Sequence, residues 1–266
     1  MSTAAPFLRI DRPSGCLFAS DMHLDDRDRA LCERFLTTLD RRLRQALADQ
    51  ATPVLFLLGD LFEYWVGDDT PSPVADRLAE RLRAFASQGG RSFLMHGNRD
   101  FLLDVPLSGA PEVLPYGRRA DASLLTDPTV IEVAGRRIVL SHGDVLCTDD
   151  LSYQQWRRQC RCPAWQQKLL AMPMAERIAM ARALRSQSQQ AQQAAEMLAD
   201  VNQAAVDAMM DQTGCDLLIH GHTHRPALHH WRHGDQSRQR WVLSDWGHTR
   251  GSVMSLEEGL ALPALP

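Results

Sequence analysis

The chain contains no apolar run approaching the ~20 residues that cross a bilayer, so no membrane-spanning helix is expected. Met1 to Gly15 has no basic start followed by an apolar stretch, and no secretory signal is expected. There is no Cys-x-x-Cys pair. The six cysteines (Cys16, Cys32, Cys147, Cys160, Cys162 and Cys215) are irregularly spaced, which argues against a thiolate zinc site and for free, buried thiols. Internal repeats are lacking. Positive charge is in slight deficit, with 29 Lys+Arg against 33 Asp+Glu and a net charge of −4, which argues against a general nucleic-acid binder.

What remains is ordinary for a soluble globular protein: 266 residues, 44% hydrophobic and 23% charged. That length allows one large core plus a smaller insertion. Residues 1–150 alternate short apolar runs with polar segments. The runs Cys16–Ser20, Val54–Leu58, Ser92–Met95, Val130–Ala134 and Arg137–Ser141 read as buried strands, with a hairpin turn at Ala134-Gly135-Arg136. Asp28–Gln50 and Ser72–Gln88 space their apolar residues as amphipathic helices do, and the alternation resembles βαβ units. Residues 151–211 read as a helical insertion interrupted at Pro163 and Pro173. Strands resume in 212–266, at Asp216–Ile219, Arg240–Ser244 and Ser252–Leu256. The expected organisation is a core of 1–150 and 212–266 with a cap of 151–211. Seven basic residues against the single acid Glu176 give Leu151 to Arg185 a local charge of +6.

Five polar motifs each follow an apolar run: Ser20-Asp21-Met22-His23, Gly59-Asp60, His96-Gly97-Asn98-Arg99-Asp100, Ser141-His142-Gly143-Asp144 and His220-Gly221-His222-Thr223-His224. If the runs are strands, all five sit at strand carboxyl ends, where open α/β sheets place ligands. Asp21 and His23 are two apart, as are His222 and His224, so an extended backbone would point each pair the same way. Imidazole, carboxylate and amide oxygen together suit Mn, Fe or Zn better than Ca or Mg. Two carboxylates among seven ligands leave two divalent ions with net positive charge, which favours an anionic substrate such as a phosphate. A pair of ions roughly 3.5–4 Å apart can orient water for in-line attack without a protein nucleophile. Glycines beside the ligands permit close backbone approach. Asp25, Asp26, Asp68 and Asp69 read as solvated surface acids, and His229, His230 and His233 as a surface loop.

Taken together, Asp21-x-His23, Gly59-Asp60, Gly97-Asn98, His142 and Gly221-His222-x-His224 resemble the calcineurin-like metallophosphoesterases, over about residues 16–250. The resemblance implies an α/β fold, a four-layer αββα sandwich with the helical insertion as a lid, and a dinuclear site at its edge. It assigns Asp21, His23, Asp60 and His224 to one metal, and Asp60, Asn98, His142 and His222 to the other, with Asp60 as bridge. It makes Asp60, Asn98, Arg99 and His142 the catalytic group. Arg99 stands where the phosphoprotein phosphatases of the family carry His. Arginine binds phosphate oxygens but is no acid at neutral pH, so Arg99 points to a phosphate leaving group and a diphosphate bond. Further stretches, Gly59 through Asp69, His96 through Leu102, Leu146 through Asp150 and Ile219 through Pro226, are similar to the branch acting in lipid A synthesis. That likeness implies a UDP-diacylglucosamine lipid substrate, attack of water at the α-phosphorus, two Mn²⁺ ions, and a cytoplasmic protein peripherally bound to the inner membrane. It implies substrate contacts from Asn98, Arg99, Asp150, Ser188, Gln192 and His222. Gln192 replaces the branch's Asn, and Ala194 and Ala195 occupy the place of a Lys. The cap would shelter acyl chains and offer its basic residues to diphosphate or anionic head groups. Two alternatives stay open: another dinuclear phosphodiesterase acting on nucleotides, and a non-catalytic scaffold of the same fold. An apolar cavity beside the metals separates the first from the lipid reading; missing ligands would mark the second.

Overall fold

The computed structural model describes residues 7–49, 52–194 and 200–256, with the side chains of 14 and of 186–194 outside the described set. Among the described residues, two sheets stack face to face. The first runs β11 (Met254–Ser255), β2 (Cys16–Ala19), β3 (Val54–Leu58), β4 (Arg91–Met95), β5 (Ala122–Leu125). The second runs β1 (Leu8–Ile10), β6 (Thr129–Val133), β7 (Arg136–Leu140), β8 (Leu217–His220), β10 (Gln236–Val242), β9 (Ala227–His233). Strands β2 to β5 are parallel, as are β7, β8 and β10. β3 is apolar and buried at every position because both of its faces are covered. Between the sheets, Phe56 stacks on Phe18 at 5.2 Å and on Phe93 at 5.4 Å, with Ile131, Ile138 and Trp241 facing them.

Helices α1 (Arg29–Ala48) and α2 (Pro73–Ser87) cover the outer face of the first sheet, burying Phe35, Leu39, Leu78 and Leu82 against Leu17, Leu55 and Leu57. Both start on side-chain caps, Asp28 accepting from Leu31 N and Ser72 from Ala75 N, with Pro73 in the first turn. After the short α3 (Tyr116–Ala120), the helical segment forms α4 (Leu151–Cys160), α5 (Pro163–Leu170) and α6 (Met174–Ala194). Pro163 opens α5 and Pro173 precedes α6, as their lost N–H groups require. α7 (Gln203–Thr213), also read as part of the insertion, instead packs Val206, Met209 and Met210 on Val139 and Leu218 of the second sheet. It is the fourth layer of an αββα sandwich.

Three strands escaped the sequence reading. β1 has only three residues, and β5 lacks β-branched residues. β9 is an edge strand whose alternate positions face water, so its polar sequence looked like a loop; His229, His230 and His233 lie on it. Five of the cysteines are buried free thiols, but Cys162 is exposed. Asp68 is not a surface acid. It is 5% exposed and accepts from Trp65 Nε1 at 2.9 Å and from the backbone N–H groups of Asp104 and Tyr116, each at 3.1 Å. Its neighbour Asp69 pairs with Arg177, and Asp26 accepts from Val74 N at 2.7 Å.

Candidate active site

The five motifs leave the carboxyl ends of β2, β3, β4, β7 and β8, and the stacking of the sheets brings those ends together. Backbone bonds extend the pairing into the loops: Asp21 N donates to Gly59 O and His23 N to Asp60 O, both at 3.0 Å, and Gly221 N to His142 O at 2.9 Å. The loops are not extended, however. Asp21, His23, Asp60, His222 and His224 all have φ between +49° and +68°. The paired side chains therefore converge through left-handed backbone, not through the alternation of a strand. Such conformations cost of order 1–3 kcal/mol each in non-glycine residues and gather at active sites. Gly97 has to be glycine: a Cβ there would lie 2.0 Å from Asp60 Oδ1.

All seven predicted ligands meet. His23 Nε2 and His224 Nε2 are 3.3 Å apart, and His224 Nε2 is 3.3 Å from Asp21 Oδ1. Asn98 Oδ1 lies 3.1 Å from His142 Nε2 and 3.0 Å from His222 Nδ1. Donor atoms of Asp21, His23 and His224 fall within 4.8 Å of one another, as do those of Asp21, Asp60 and His142. Asp21 thus reaches both groups. So does Asp60, 3.9 Å from His23 Nδ1 and 3.8 Å from His142 Nε2. Asp21 Oδ1 and His23 Nδ1 are buried without a hydrogen-bond partner, a costly state that a bound cation relieves. This donor set fits divalent transition metals.

The surroundings orient the ligands. His142 Nδ1 donates to Leu58 O at 2.9 Å, which turns Nε2 towards Asn98 and Asp60. Asp245 Oδ2 stands 3.5 Å from His224 Nδ1 and is itself paired with Arg250. Asp100 receives Gly97 N and Leu61 N, both at 2.6 Å, joining two ligand loops. The site is electrostatically hungry for cations. Burial would lower the pKa of His142, but Asp60, Asp21 and Asp144 outweigh it and raise the ring to about 9. Asp21, despite burial, is held well below the carboxylate range by His224, His142 and His23. Burial and His142 lower His222 to about 4.

A cavity of about 440 Å³ opens beside the ligands. Asn98, in contact with His142 and His222, is part of its wall. Arg99, Glu63 and Arg185 line it with Trp65, Phe101, Trp156, Trp165, Leu169 and Met180, so polar groups join a mainly apolar chamber. Asp150 does not line the chamber; it is exposed and caps α4, accepting from Tyr153 N at 2.9 Å. The side chains of Ser188 and Gln192 lie outside the described set.

The basic surplus of α4–α6 is mostly turned inward. Arg157 donates to Asp144 at 2.9 Å, Arg161 to Gly97 O at 2.9 Å, Arg177 to Asp69 and Val66 O, and Arg185 to Glu63. Arg158 and Lys168 are exposed. Glu63, Asp245 and Tyr153 are residues of the site that the sequence reading missed. Tyr153 donates its hydroxyl to Asp144 at 2.6 Å, and its ring lies 5.8 Å from that of His222. Asp144 stood in a quoted motif, and Glu63 three residues after Asp60; Asp245 had no local signal.

Residues 16–226 match the family model described as calcineurin-like phosphoesterase. A UDP-2,3-diacylglucosamine hydrolase of Stenotrophomonas maltophilia is 43% identical over 91% of this chain and 94% of its own. The protein of that name from Xanthomonas campestris pv. campestris is 45% identical, over 94% of this chain and 98% of its own. That from Xanthomonas oryzae pv. oryzae is 43% identical over 92% and 97%. The chain belongs to the calcineurin-like phosphoesterase family, in the branch of the UDP-2,3-diacylglucosamine hydrolases.

Proposed function

We propose that this chain hydrolyses the diphosphate bond of UDP-2,3-diacylglucosamine, giving UMP and 2,3-diacylglucosamine 1-phosphate in lipid A synthesis. The observation that carries this reading is the mainly apolar chamber of about 440 Å³ lined in part by Asn98 and Arg99. A soluble nucleotide would have no use for walls of Trp156, Trp165 and Leu169, and a scaffold no use for seven intact ligands.

In this reading two divalent ions, Mn²⁺ by family likeness, are held by Asp21, His23, Asp60 and His224, and by Asp60, Asn98, His142 and His222. Bound there, they supply an activated water and neutralise phosphate charge. The chain's own groups do the rest. Arg99, whose backbone N–H holds Asp60 Oδ1 at 2.9 Å, offers its guanidinium to the diphosphate. Residues 151–194 act as the cap whose apolar side receives the acyl chains and excludes water from the bond being cut. No helix among the described residues is long and apolar enough to cross a membrane. We place the protein at the cytoplasmic face of the inner membrane, reached by its lipid substrate and by exposed Arg158, Lys168 and Leu151. Sedimentation with anionic vesicles should weaken with salt; none at low salt would refute that placement.

The test is incubation of the purified protein with UDP-2,3-diacylglucosamine and Mn²⁺ in ¹⁸O-labelled water. UMP should appear, carrying the label on its phosphate. Label in the sugar phosphate would contradict attack at the α-phosphorus, and no UMP would contradict the function.

A further inference from the structure

Glu63 holds two guanidiniums at once. One carboxylate oxygen accepts from Arg99 Nη1, the other from Arg185 Nε at 2.5 Å. Arg99 leaves the loop after β4 and also stands with Nε 3.4 Å from Asp60 Oδ2. Arg185 comes from α6, so the carboxylate joins core and cap. The three side chains are 11%, 18% and 27% exposed for Arg99, Glu63 and Arg185. Two cations this close and this sheltered repel each other unless an anion lies between them. Glu63 is shared between the two guanidiniums and is the one carboxylate paired with Arg185 among the described residues, and all three side chains line the chamber. The forks that grip a carboxylate oxygen fit a phosphate oxygen equally well.

We propose that Arg185 binds the leaving phosphate of the diphosphate, and that Glu63 holds it in place until substrate arrives. This rests on the diphosphatase reading above. The assignment to the leaving side follows from α6 itself. Met180, Ala181 and Leu184, within the two turns before Arg185, line the chamber. A sugar phosphate whose acyl chains lie along those residues brings its own phosphate to Arg185, on the same helix. Negative charge grows on that phosphate as its bond to the α-phosphorus breaks. A guanidinium there stabilises the transition state more than the bound substrate, so its loss lowers kcat and not KM alone.

Steady-state kinetics of the full chain with Mn²⁺ test this in Arg185→Met and Arg185→Lys, on UDP-2,3-diacylglucosamine and on bis(p-nitrophenyl) phosphate, whose leaving group carries no phosphate. Arg185→Met should lose about 10- to 100-fold in kcat on the diphosphate, the size of one charge-assisted hydrogen bond. The loss on the diester should be at least about tenfold smaller. Arg185→Lys should recover part of the diphosphate rate, and added guanidinium should restore part of it to Arg185→Met. Equal losses on both substrates in both variants, an unchanged kcat on the diphosphate, or no response to guanidinium would overturn the assignment. A wild-type chain inert towards the diphosphate would sink the functional reading, and this proposal with it.

Discussion

His224 shows how one candidate ligand depends on residues far away in sequence. Its Nε2 faces Asp21 and His23, while Asp245 stands behind its Nδ1. A carboxylate behind a ligating imidazole fixes the ring and raises its basicity. Asp245→Asn should therefore weaken metal binding about 10- to 100-fold with the fold intact, measured by competition against a chelating dye. An unchanged affinity would remove Asp245 from the site. His142 makes a second prediction. Its pKa of about 9 means that a proton occupies the ring until a metal displaces it. His222, at about 4, and His23, well below its ordinary value, are already neutral at pH 7. Metal affinity should thus rise by up to about tenfold per pH unit from pH 7, flattening as pH passes 9. A flat profile would contradict the raised pKa. At this scale the seven side chains that converge were legible because their residue types and order are themselves the signal. Glu63, Asp68 and Asp245 were not, because an acid reads as solvated until tertiary contacts supply its partners.

Helices α4 and α6 are held against the loops of the two sheets by paired charges. α6 is tied at Arg177, which is 4% exposed and donates to Asp69 Oδ1 at 2.8 Å, to Val66 O at 2.6 Å and to Met172 O at 3.1 Å. α4 is tied at Arg157 through Asp144. Removing one partner of a buried pair strands the other, at a cost of about 3–5 kcal/mol. Arg177→Met should accordingly loosen α5 and α6 while the sheets stay closed. Hydrogen exchange should quicken in 163–185 and not in β3; unchanged exchange in α6 would contradict the tie. The helical character of this region and its breaks at Pro163 and Pro173 were legible from composition and proline chemistry. The protein partners of its arginines were not legible, since a run of arginines gives no sign that Asp69, Glu63 and Asp144 will meet them. α7 was assigned to the cap because its apolar spacing says that it packs, but not on what.

Across the whole molecule, function follows from two parallel sheet segments ending at the same edge. β2, β3 and β4 carry three ligand loops from one sheet, and β7 and β8 carry two from the other. The apolar runs predicted those strands to within a residue or two at each end, and placed every ligand motif after one. What the runs could not give was the left-handed backbone at Asp21, His23, Asp60, His222 and His224, which violates local preference and persists only because the assembled loops impose it. The central claim is that these loops enclose two cations. Anomalous diffraction from crystals grown with Mn²⁺ tests it most directly. Two peaks should appear, one against Asp21, His23, Asp60 and His224, the other against Asp60, Asn98, His142 and His222. A single peak, or peaks away from these side chains, would contradict the account.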